Sequence, residues 1–370
     1  MTALDDAWLD RAFALAEQSI GVSDPNPRVG CVIAAGNGAV IGEGFTQAAG
    51  SAHAEVMALA DARARGIDPR GATGWVTLEP CSHHGRTPPC CNALIEAGLT
   101  RVVIAALDPN PVVHGRGLER LRQAGIEVLL AGDAHAARCR ELNIGFFSRM
   151  TRSRPWVRMK IACSLDGRVA LADGRSQWIT GPQARSDGHR WRRRASAVLT
   201  GVGTVLADDP RLDVRLVPTA LQPLRVVLDP RMRMPTRAAI LRPPGGVLWL
   251  HAQADASSST PSTGALPGVE CLALPSEQHG LSLPAVLDEL TRRQCNELHV
   301  EAGPRLNASM LQAGLVDEIL LYQASMLIGP GRPLADLAPL ADLAQAPRFA
   351  LHDVSRFGDD LRLLLRPRHA

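Results

Sequence analysis

The feature that most constrains this chain is the stretch from His53 to Cys91. It contains Glu55 two residues after the histidine, and the cysteines Cys81 and Cys90 in a later loop. Imidazole and thiolate groups are ligands that zinc prefers in proteins. Three such ligands leave the fourth tetrahedral position open to water, as a catalytic zinc requires. The stretch therefore predicts a zinc centre around which the N-terminal half of the chain folds.

The predicted secondary structure brings the three ligands together. His53 precedes a helix with apolar periodicity, and a strand over residues 74–78 leads to Cys81. Cys90 begins a second helix, which ends at Gly98. The partial positive charge of a helix N-terminus stabilises a thiolate and so favours metal ligation. We therefore predict that His53, Cys81 and Cys90 bind Zn2+.

Glu55 is predicted to be catalytic rather than a ligand. H-x-E followed by P-C-x-x-C is the signature of zinc-dependent deaminases, in which the glutamate is the general acid and base. Here eight residues separate the two cysteines instead of two, and His83, His84 and Cys91 are competing candidate ligands. The alternative is a closed structural zinc with four protein ligands. Such a site would have no use for the carboxylate of Glu55.

Composition and charge argue against several classes of protein. The net charge of +3 over 370 residues gives no reason to expect nucleic acid or an anionic membrane as a partner. The first residues are acidic rather than a basic and apolar leader, and no apolar run reaches the length of a membrane helix. The eight cysteines show no disulfide spacing. These features predict a cytoplasmic globular protein.

The N-terminal half is predicted to form a mixed sheet with helices on both faces. An amphipathic helix is expected over residues 3–20, with Leu4 and Phe13 on its apolar face. A hairpin follows around Gly36-Asn37-Gly38, and helices then alternate with strands. A basic connector closed by proline occupies residues 147–154. We therefore predict two domains, 1–147 and 154–370.

The C-terminal half also alternates strands and helices, apart from a predicted surface loop over residues 252–268. Residues 301–304 form a glycine-containing loop between a strand and a helix, which is how α/β sheets present backbone amides to phosphate. An ordinary strand–helix turn is the alternative. The spacing does not match G-x-G-x-x-G, so the sequence does not support an ordinary Rossmann domain.

A predicted helix in this half carries the basic run from His189 to Arg194. A solvated helix face is one interpretation of the run, and capture of a sugar phosphate by a guanidinium group is another. Nucleic-acid binding is the weakest interpretation, because stacking aromatic residues are not interleaved with the arginines apart from Trp191.

Longer motifs extend over nearly the whole chain. In the N-terminal half they are DPNPRVGCVI, PCSHHGRTPPCCNALIEAG and DPNPVVHGRG. In the C-terminal half they are KIACSLDGRVA, GRSQWITGPQAR, VLTGVGTVLADDPRL and VEAGPRLNASMLQAGLVDE. With these motifs the chain resembles the bifunctional deaminase/reductase family of riboflavin biosynthesis. The resemblance implies an α/β protein with an N-terminal cytidine-deaminase-like three-layer α/β/α domain and a C-terminal dihydrofolate-reductase-like α/β domain that binds NADPH.

The resemblance implies two consecutive reactions on small-molecule pyrimidine ribosyl phosphates. The first is zinc-dependent hydrolytic deamination of 2,5-diamino-6-ribosylamino-4(3H)-pyrimidinone 5′-phosphate, and the second is NADPH-dependent reduction of the ribosyl side chain to ribityl. Leucine-rich strand edges at residues 361–365 are compatible with a homodimer or higher homo-oligomer. One alternative is a nucleobase or tRNA deaminase fused to a catalytically dead, RNA-binding, reductase-like domain. Another is an interaction protein stapled by zinc.

The resemblance also implies which residues of the C-terminal half form the sites. The positions that match the dinucleotide site are Ala162, Trp178, Thr204, Asp208, Gly303, Pro304, Arg305 and Leu306. The positions that match the site of the ribosylated pyrimidine are Ser176, Arg192, Leu212, Arg215 and Glu301. Asp208 either protonates the developing alkoxide or orients a ligand. Arg231 and Arg233, which follow a strand, are candidates for the 2′-phosphate of NADPH on position only, and ordinary surface arginines are the alternative.

In the N-terminal half, the resemblance implies further substrate contacts. Asn26 matches a residue that holds the pyrimidine beside the zinc, but a turn-forming role between two prolines is equally open. Thr46 stands where many relatives have histidine, so a substrate contact there is expected to differ. His83, Arg86 and Thr87 match ribose-phosphate contacts.

Overall fold

The computed structural model describes residues 1–83, 88–253, 266–277 and 280–368. His84, Arg86, Thr87 and most of the loop predicted at 252–268 lie outside the described residues. The chain divides into two compact units, Met1–Arg154 and Pro155–Ala370. None of the helices among the described residues is long and apolar enough to span a membrane.

The first unit is a sheet covered by helices. Its strands are β1 (Gly30–Ala34), β2 (Val40–Phe45), β3 (Thr73–Val76), β4 (Arg101–Ile104) and β5 (Glu127–Leu130). Its helices are α1 (Ala3–Ala16), α2 (Ala54–Ala64), α3 (Cys90–Glu96), α4 (Arg116–Gln123), α5 (Asp133–Leu142) and α6 (Ile144–Arg152). The strand order is β2-β1-β3-β4-β5, with β1 antiparallel to β2 and β3 and the last three strands parallel. The predicted hairpin is the β1–β2 pair.

Glycines in this sheet let two helices approach the strands closely. A Cβ atom at Gly30 would lie 1.9 Å from the carbonyl oxygen of Ala12 in α1. A Cβ atom at Gly44 would lie 2.6 Å from the carbonyl oxygen of Ala54, the first residue of α2. Larger residues are therefore excluded at both positions. The close approach at Gly44 fixes the start of α2 against β2, which is where His53 and Glu55 lie.

Two expectations for this unit are corrected. The helix predicted over 3–20 ends at Ala16 and continues as a 3₁₀ turn over Glu17–Ser19. Within it, Leu4 is exposed whereas Asp5 is buried. The connector predicted over 147–154 is largely helical, because α6 extends to Arg152.

The second unit is a larger mixed sheet with its own helices. Its helices are α7 (Pro182–Arg194), α8 (Val202–Asp208), α9 (Leu283–Arg292) and α10 (Pro304–Gln312). Its strands are β6 (Trp156–Cys163), β7 (Arg168–Leu171), β8 (Ala197–Gly201), β9 (Leu224–Leu228), β10 (Val247–Ala252), β11 (Val269–Leu274), β12 (Ser276–Glu277), β13 (Gly280–Leu281), β14 (Glu297–Val300), β15 (Glu318–Gln323), β16 (Gly331–Pro333), β17 (Phe349–Phe357) and β18 (Asp360–Pro367).

The main sheet of this unit has the strand order β11-β10-β9-β8-β14-β6-β15-β18-β17. The strands from β11 to β15 are parallel, and β18 and β17 continue the sheet in antiparallel pairing. The parallel strands therefore end at one common edge. There α8 begins directly after β8, and α10 begins shortly after β14. Ligands of open α/β sheets bind at this carboxyl edge.

The expectation of a leucine-rich sheet edge at residues 361–365 is wrong. These residues lie in β18, which is hydrogen-bonded to β15 on one side and to β17 on the other. The edge strand is β17, in which Leu351 and Val354 are exposed. A register shift between Leu351 and Asp353 bends this strand, which weakens its periodic signal in the sequence.

Candidate active sites

His53, Cys81 and Cys90 converge in the first unit as the zinc prediction requires. The Nδ1 atom of His53 lies 3.7 Å from Cys81 Sγ and 3.3 Å from Cys90 Sγ. The three ligand atoms all lie within 4.8 Å of one another. Standard Zn–N and Zn–S bond lengths place tetrahedral nitrogen and sulfur ligands about 3.6 Å apart. The donor set and its spacing therefore fit one zinc ion.

Each ligand is delivered by the end of an element. His53 is the residue directly before α2, and Cys90 is the first residue of α3. Cys81 follows the end of β3 in the loop before α3, and its sulfur accepts a hydrogen bond from the backbone N–H of Cys90 at 3.3 Å. Hydrogen bonds from Cys90 and His53 lower the pKa of the Cys81 thiol. The site therefore favours a thiolate at Cys81.

Glu55 lies one residue inside α2 and is only 3% exposed. Burial, together with the negative charge of the Cys81 thiolate, raises the pKa of its carboxyl group to about 7. A general acid and base works best when its pKa is close to the operating pH. Glu55 therefore has the burial and the pKa of a proton carrier beside the three ligands.

The competing ligands that the structure describes, His83 and Cys91, do not join this cluster. Among the described residues, the grouping of candidate metal ligands consists of His53, Cys81 and Cys90. The thiol of Cys91 is fully buried and donates instead to the carbonyl oxygens of Pro80, at 3.2 Å, and Gly117, at 3.5 Å. Burial raises the pKa of the Cys91 thiol above its ordinary value.

The predicted substrate contacts of the first unit are less well defined. Asn26 lies in a turn after α1, and its backbone N–H donates to the carbonyl oxygen of Ser23 at 2.8 Å. The described contacts do not connect its side chain to the three candidate ligands. Thr46 is buried, and its hydroxyl faces the carbonyl oxygen of Val29 at 3.5 Å. The turn-forming interpretation of Asn26 agrees with this geometry.

At the carboxyl edge of the second unit, Glu301 is surrounded by cations. Arg192 of α7 forms a two-pronged ion pair with it, in which Nη2 lies 2.9 Å from Oε2. Lys160 of β6 lies 3.7 Å from the same carboxylate. Although burial opposes it, these two cations hold the pKa of Glu301 well below its ordinary value. The sequence analysis missed Lys160, whose position beside Glu301 depends on the parallel pairing of β6 with β14.

The neighbouring loop presents Arg215 and Leu212. Arg215 pairs with the buried Asp213 at 2.8 Å, and its backbone N–H donates to Nδ1 of His189 at 3.1 Å. Burial and the nearby arginines lower the pKa of His189 to about 4, so the ring is uncharged at neutral pH. Leu212 is buried with a positive φ of 51°. Arg192 also donates to the carbonyl oxygen of Asp213 at 2.8 Å, so one helix anchors this loop twice.

Several of the predicted dinucleotide residues lie at the same edge. Ala162 lies near the end of β6, and Gly303 and Pro304 begin α10, followed by Arg305 and Leu306. A Cβ atom at Gly303 would lie 3.7 Å from Oγ1 of Thr204, and one at Gly201 would lie 3.5 Å from Leu306. The N-termini of α8 and α10 therefore lie close together at this edge, and the N-terminus of a helix favours a phosphate group.

The remaining candidate residues of the second unit are Ser176, Asp208, Trp178, Arg231 and Arg233. The hydroxyl of Ser176 donates to Asp208 at 3.4 Å, and burial raises the pKa of Asp208. Trp178 is 63% exposed, and the guanidinium group of Arg185 lies 4.5 Å from its ring centre. Arg231 and Arg233 are exposed in the turn after β9. An exposed indole is available to stack on a planar ligand.

Comparison with known proteins identifies the family. Residues 155–363 match the RibD C-terminal domain, and residues 2–106 match the cytidine and deoxycytidylate deaminase zinc-binding region. The chain is 45% identical over 377 residues to riboflavin biosynthesis protein RibD of Escherichia coli (strain K12), an alignment that covers 98% of this chain and 99% of that protein. The chain belongs to the RibD family.

Solved structures agree with this assignment. Form 1 of Acinetobacter baumannii RibD is 41% identical, with a TM-score of 0.88 over 99% of both chains. A Thermotoga maritima protein described as diaminohydroxyphosphoribosylaminopyrimidine deaminase/5-amino-6-(5-phosphoribosylamino)uracil reductase is 35% identical, with a TM-score of 0.87 over 99% of both chains. As a RibD protein, this chain is a bifunctional enzyme of riboflavin biosynthesis, a zinc-dependent deaminase and an NADPH-dependent reductase. The predicted fold class is confirmed, and an RNA-binding deaminase with a dead reductase is not favoured.

Proposed function

We propose that the first unit deaminates 2,5-diamino-6-ribosylamino-4(3H)-pyrimidinone 5′-phosphate and that the second unit reduces the ribosyl side chain of the product. The proposal assigns the deaminase domain to residues 1–147 and the reductase domain to residues 154–370. The observation that carries it is the convergence of His53, Cys81 and Cys90 beside the buried carboxylate of Glu55.

In the deaminase site, the proposed ligands are His53, Cys81 and Cys90. Zinc, when bound there, lowers the pKa of a water molecule to roughly 7. Glu55 takes a proton from the attacking water and delivers it to the departing amine. Glu55 is buried beside the three ligands, where one carboxyl group can take up the proton and return it.

In the reductase site, NADPH supplies the hydride that reaches C1 of the ribose. Arg215 binds the substrate phosphate in this proposal, and its ion pair with Asp213, at 2.8 Å, supports the role by orienting the guanidinium group. Glu301 stays ionised between Arg192 and Lys160, so it accepts hydrogen bonds from the substrate. Asp208 accepts a hydrogen bond from Ser176, and we propose that it donates a proton to the ribose oxygen.

We also propose a cytoplasmic homo-oligomer. In the part of the chain that the structure describes, no disulfide bond joins any of the cysteines, which suits a reducing compartment. Leu351 and Val354 expose apolar surface on β17, an edge strand that a second copy would cover. Among the described residues, this edge replaces the one expected at 361–365 as the candidate interface.

The experiment that tests the two activities is NADPH oxidation by the purified protein with the diaminopyrimidine ribosyl phosphate as the sole substrate. We expect oxidation that stops when zinc is chelated and resumes when the aminouracil ribosyl phosphate is supplied directly. Oxidation that persists after complete zinc removal would contradict the proposed order. Failure to oxidise NADPH with either substrate would contradict the reductase assignment.

A further inference from the structure

Glu79 is a buried carboxylate that neither reaction uses. It is 3% exposed and accepts hydrogen bonds from four backbone N–H groups. Oε1 accepts from Gly117 at 2.9 Å and Leu118 at 3.2 Å, and Oε2 accepts from Gly115 at 3.0 Å and Asp108 at 3.1 Å. Among the described residues, no cation forms an ion pair with this carboxylate.

The arrangement requires a carboxylate rather than an amide. Burial of a carboxylate is costly unless hydrogen bonds compensate for its lost hydration. Three of the four donors belong to the N-terminus of α4, where the helix dipole also favours negative charge. A glutamine at position 79 would keep one acceptor oxygen, but its NH2 group would face two N–H donors. Those two donors would then lose their partner.

The residues around Glu79 connect this contact to the metal ligands. Glu79 is two residues before Cys81 in the chain, and its own backbone N–H donates to the carbonyl oxygen of Ala106 after β4 at 2.9 Å. The next residue, Pro80, accepts the hydrogen bond from the thiol of Cys91, which is adjacent to Cys90. One cluster thus holds the segments that carry both cysteine ligands.

Glycine at position 117 completes the cluster. A Cβ atom there would lie 2.0 Å from the carbonyl oxygen of Pro80 and 3.2 Å from Oε1 of Glu79. The N-terminus of α4 therefore contacts the backbone of the ligand loop directly. A displacement of α4 would be transmitted to Pro80 and so to Cys81.

We propose that Glu79 is a positioning residue of the deaminase centre. Its carboxylate fixes residues 108–118 and the N-terminus of α4 to the loop that presents Cys81 and Cys90. The inference rests on the proposed deaminase function, since it assigns a role in the geometry of that site. Outer-shell partners of metal ligands typically alter metal affinity or activity roughly 10–100-fold when they are removed.

The test compares Glu79→Gln with Glu119→Gln in the full-length protein. Glu119 lies on α4 but is exposed, so the control makes the same chemical change on the same helix. Three quantities are measured: hydrogen–deuterium exchange of residues 108–118, the visible spectrum after Co²⁺ replaces zinc, and kcat and KM of each reaction. The spectrum reports ligand geometry without turnover, and the reductase reaction reports the integrity of the second unit.

For Glu79→Gln we expect the amide hydrogens of residues 115–118 to exchange at least about tenfold faster, because this segment would unfold locally more often. We also expect a shifted Co²⁺ spectrum and a kcat/KM for deamination roughly 10–100-fold lower, with unchanged reduction of supplied aminouracil. Glu119→Gln should match the wild type. A Glu79→Gln protein with wild-type exchange, spectrum and deamination would overturn the proposal, as would one whose only change is a lower melting temperature.

Gly117→Ala disturbs the same contact from the side of α4. It tests the proposal if Glu79→Gln does not fold. We expect it to shift the Co²⁺ spectrum and to lower deamination. A wild-type spectrum and activity in this variant would refute the inference. Failure of the underlying function is distinguishable, because in that case the wild-type protein itself would neither bind zinc nor deaminate.

Discussion

At the scale of single residues, the zinc site contains two adjacent cysteines in different surroundings. Cys90 faces His53, whereas Cys91 donates its thiol proton to backbone carbonyl groups in the interior. We therefore predict that Cys90→Ser loses zinc and deamination, whereas Cys91→Ser keeps zinc at one equivalent per chain. Metal analysis of the two purified variants checks the prediction. Zinc retained by Cys90→Ser would show that the ligand assignment is wrong.

Glu55 gives the second prediction at this scale. Glu55→Gln retains the ligands but removes the proton carrier, so deamination should fall roughly 10²–10⁴-fold with zinc still bound. Reduction of supplied aminouracil ribosyl phosphate should be unchanged, because that reaction is assigned to other residues. Separate assays of the two reactions, with Glu119→Gln as the control, measure this difference. Loss of both reactions in a folded protein would contradict the two-site assignment.

Whether a site residue could be predicted depended on how far away its partners lie in the chain. The candidate zinc ligands and Glu55 lie in one stretch of the chain, so the motif was enough to predict that the three ligands converge. Lys160 was missed because its sequence, KIACSL, is an ordinary strand pattern. Only the pairing of β6 with β14 places it beside Glu301. A basic residue in an otherwise apolar strand was the available signal.

At the scale of elements, α1 depends on a single buried carboxylate. Asp5 accepts hydrogen bonds from Nε1 of Trp75 at 2.9 Å and from Arg101 at 2.8 and 3.0 Å, and it also completes the cap at Thr2. Its interactions connect α1 to strands β3 and β4. The helix is therefore attached by polar groups as well as by its apolar face.

Asp5→Asn should destabilise the first unit by about 3 kcal/mol at neutral pH, since it breaks a buried ion pair. Arg101 holds the pKa of Asp5 well below its ordinary value, which is about 3.9 in unfolded chains. The contribution of Asp5 is thus complete above about pH 4 and declines as the pH falls toward the folded-state pKa. Urea midpoints for loss of deamination, measured from pH 7 to pH 3, test this dependence.

The matched control for this prediction is Asp6→Asn, since Asp6 is the exposed neighbour of Asp5. The difference in stability between wild type and Asp5→Asn should shrink on acidification, whereas Asp6→Asn should remain close to wild type throughout. A difference that is independent of pH would mean that the charge of Asp5 does not stabilise the fold.

The same helix shows why element boundaries were easier to predict than burial. Periodicity located α1 and the hairpin, but it placed Leu4 inward and gave no reason to bury Asp5. Asp5 is buried because Trp75 and Arg101, far along the chain, supply its donors. The β17 edge was missed for a related reason, because the irregularity at Leu351 interrupts the alternation of that strand.

At the scale of the whole molecule, the exposed edge strand β17 of the second unit is the proposed interface between copies of the chain. We predict that Val354→Lys shifts the protein toward monomers, because a buried lysine would lose its hydration in the interface. Light scattering after size-exclusion chromatography measures the mass. Leu130→Lys, which replaces an exposed leucine of the first unit, controls for added surface charge. An unchanged mass for Val354→Lys would place the interface elsewhere or show a monomeric protein.

The orientation of Cys91 has a consequence for oxidative damage. Adjacent cysteines are often expected to oxidise together, but here the thiol of Cys91 points away from Cys90 toward Pro80 and Gly117. The sulfur atoms that lie near each other are those of Cys81 and Cys90. After loss of zinc, peroxide should therefore join Cys81 to Cys90 and leave Cys91 reduced, which peptide mapping can detect. Reduction and added zinc should then restore the deaminase without refolding, so oxidation of this site is expected to be reversible.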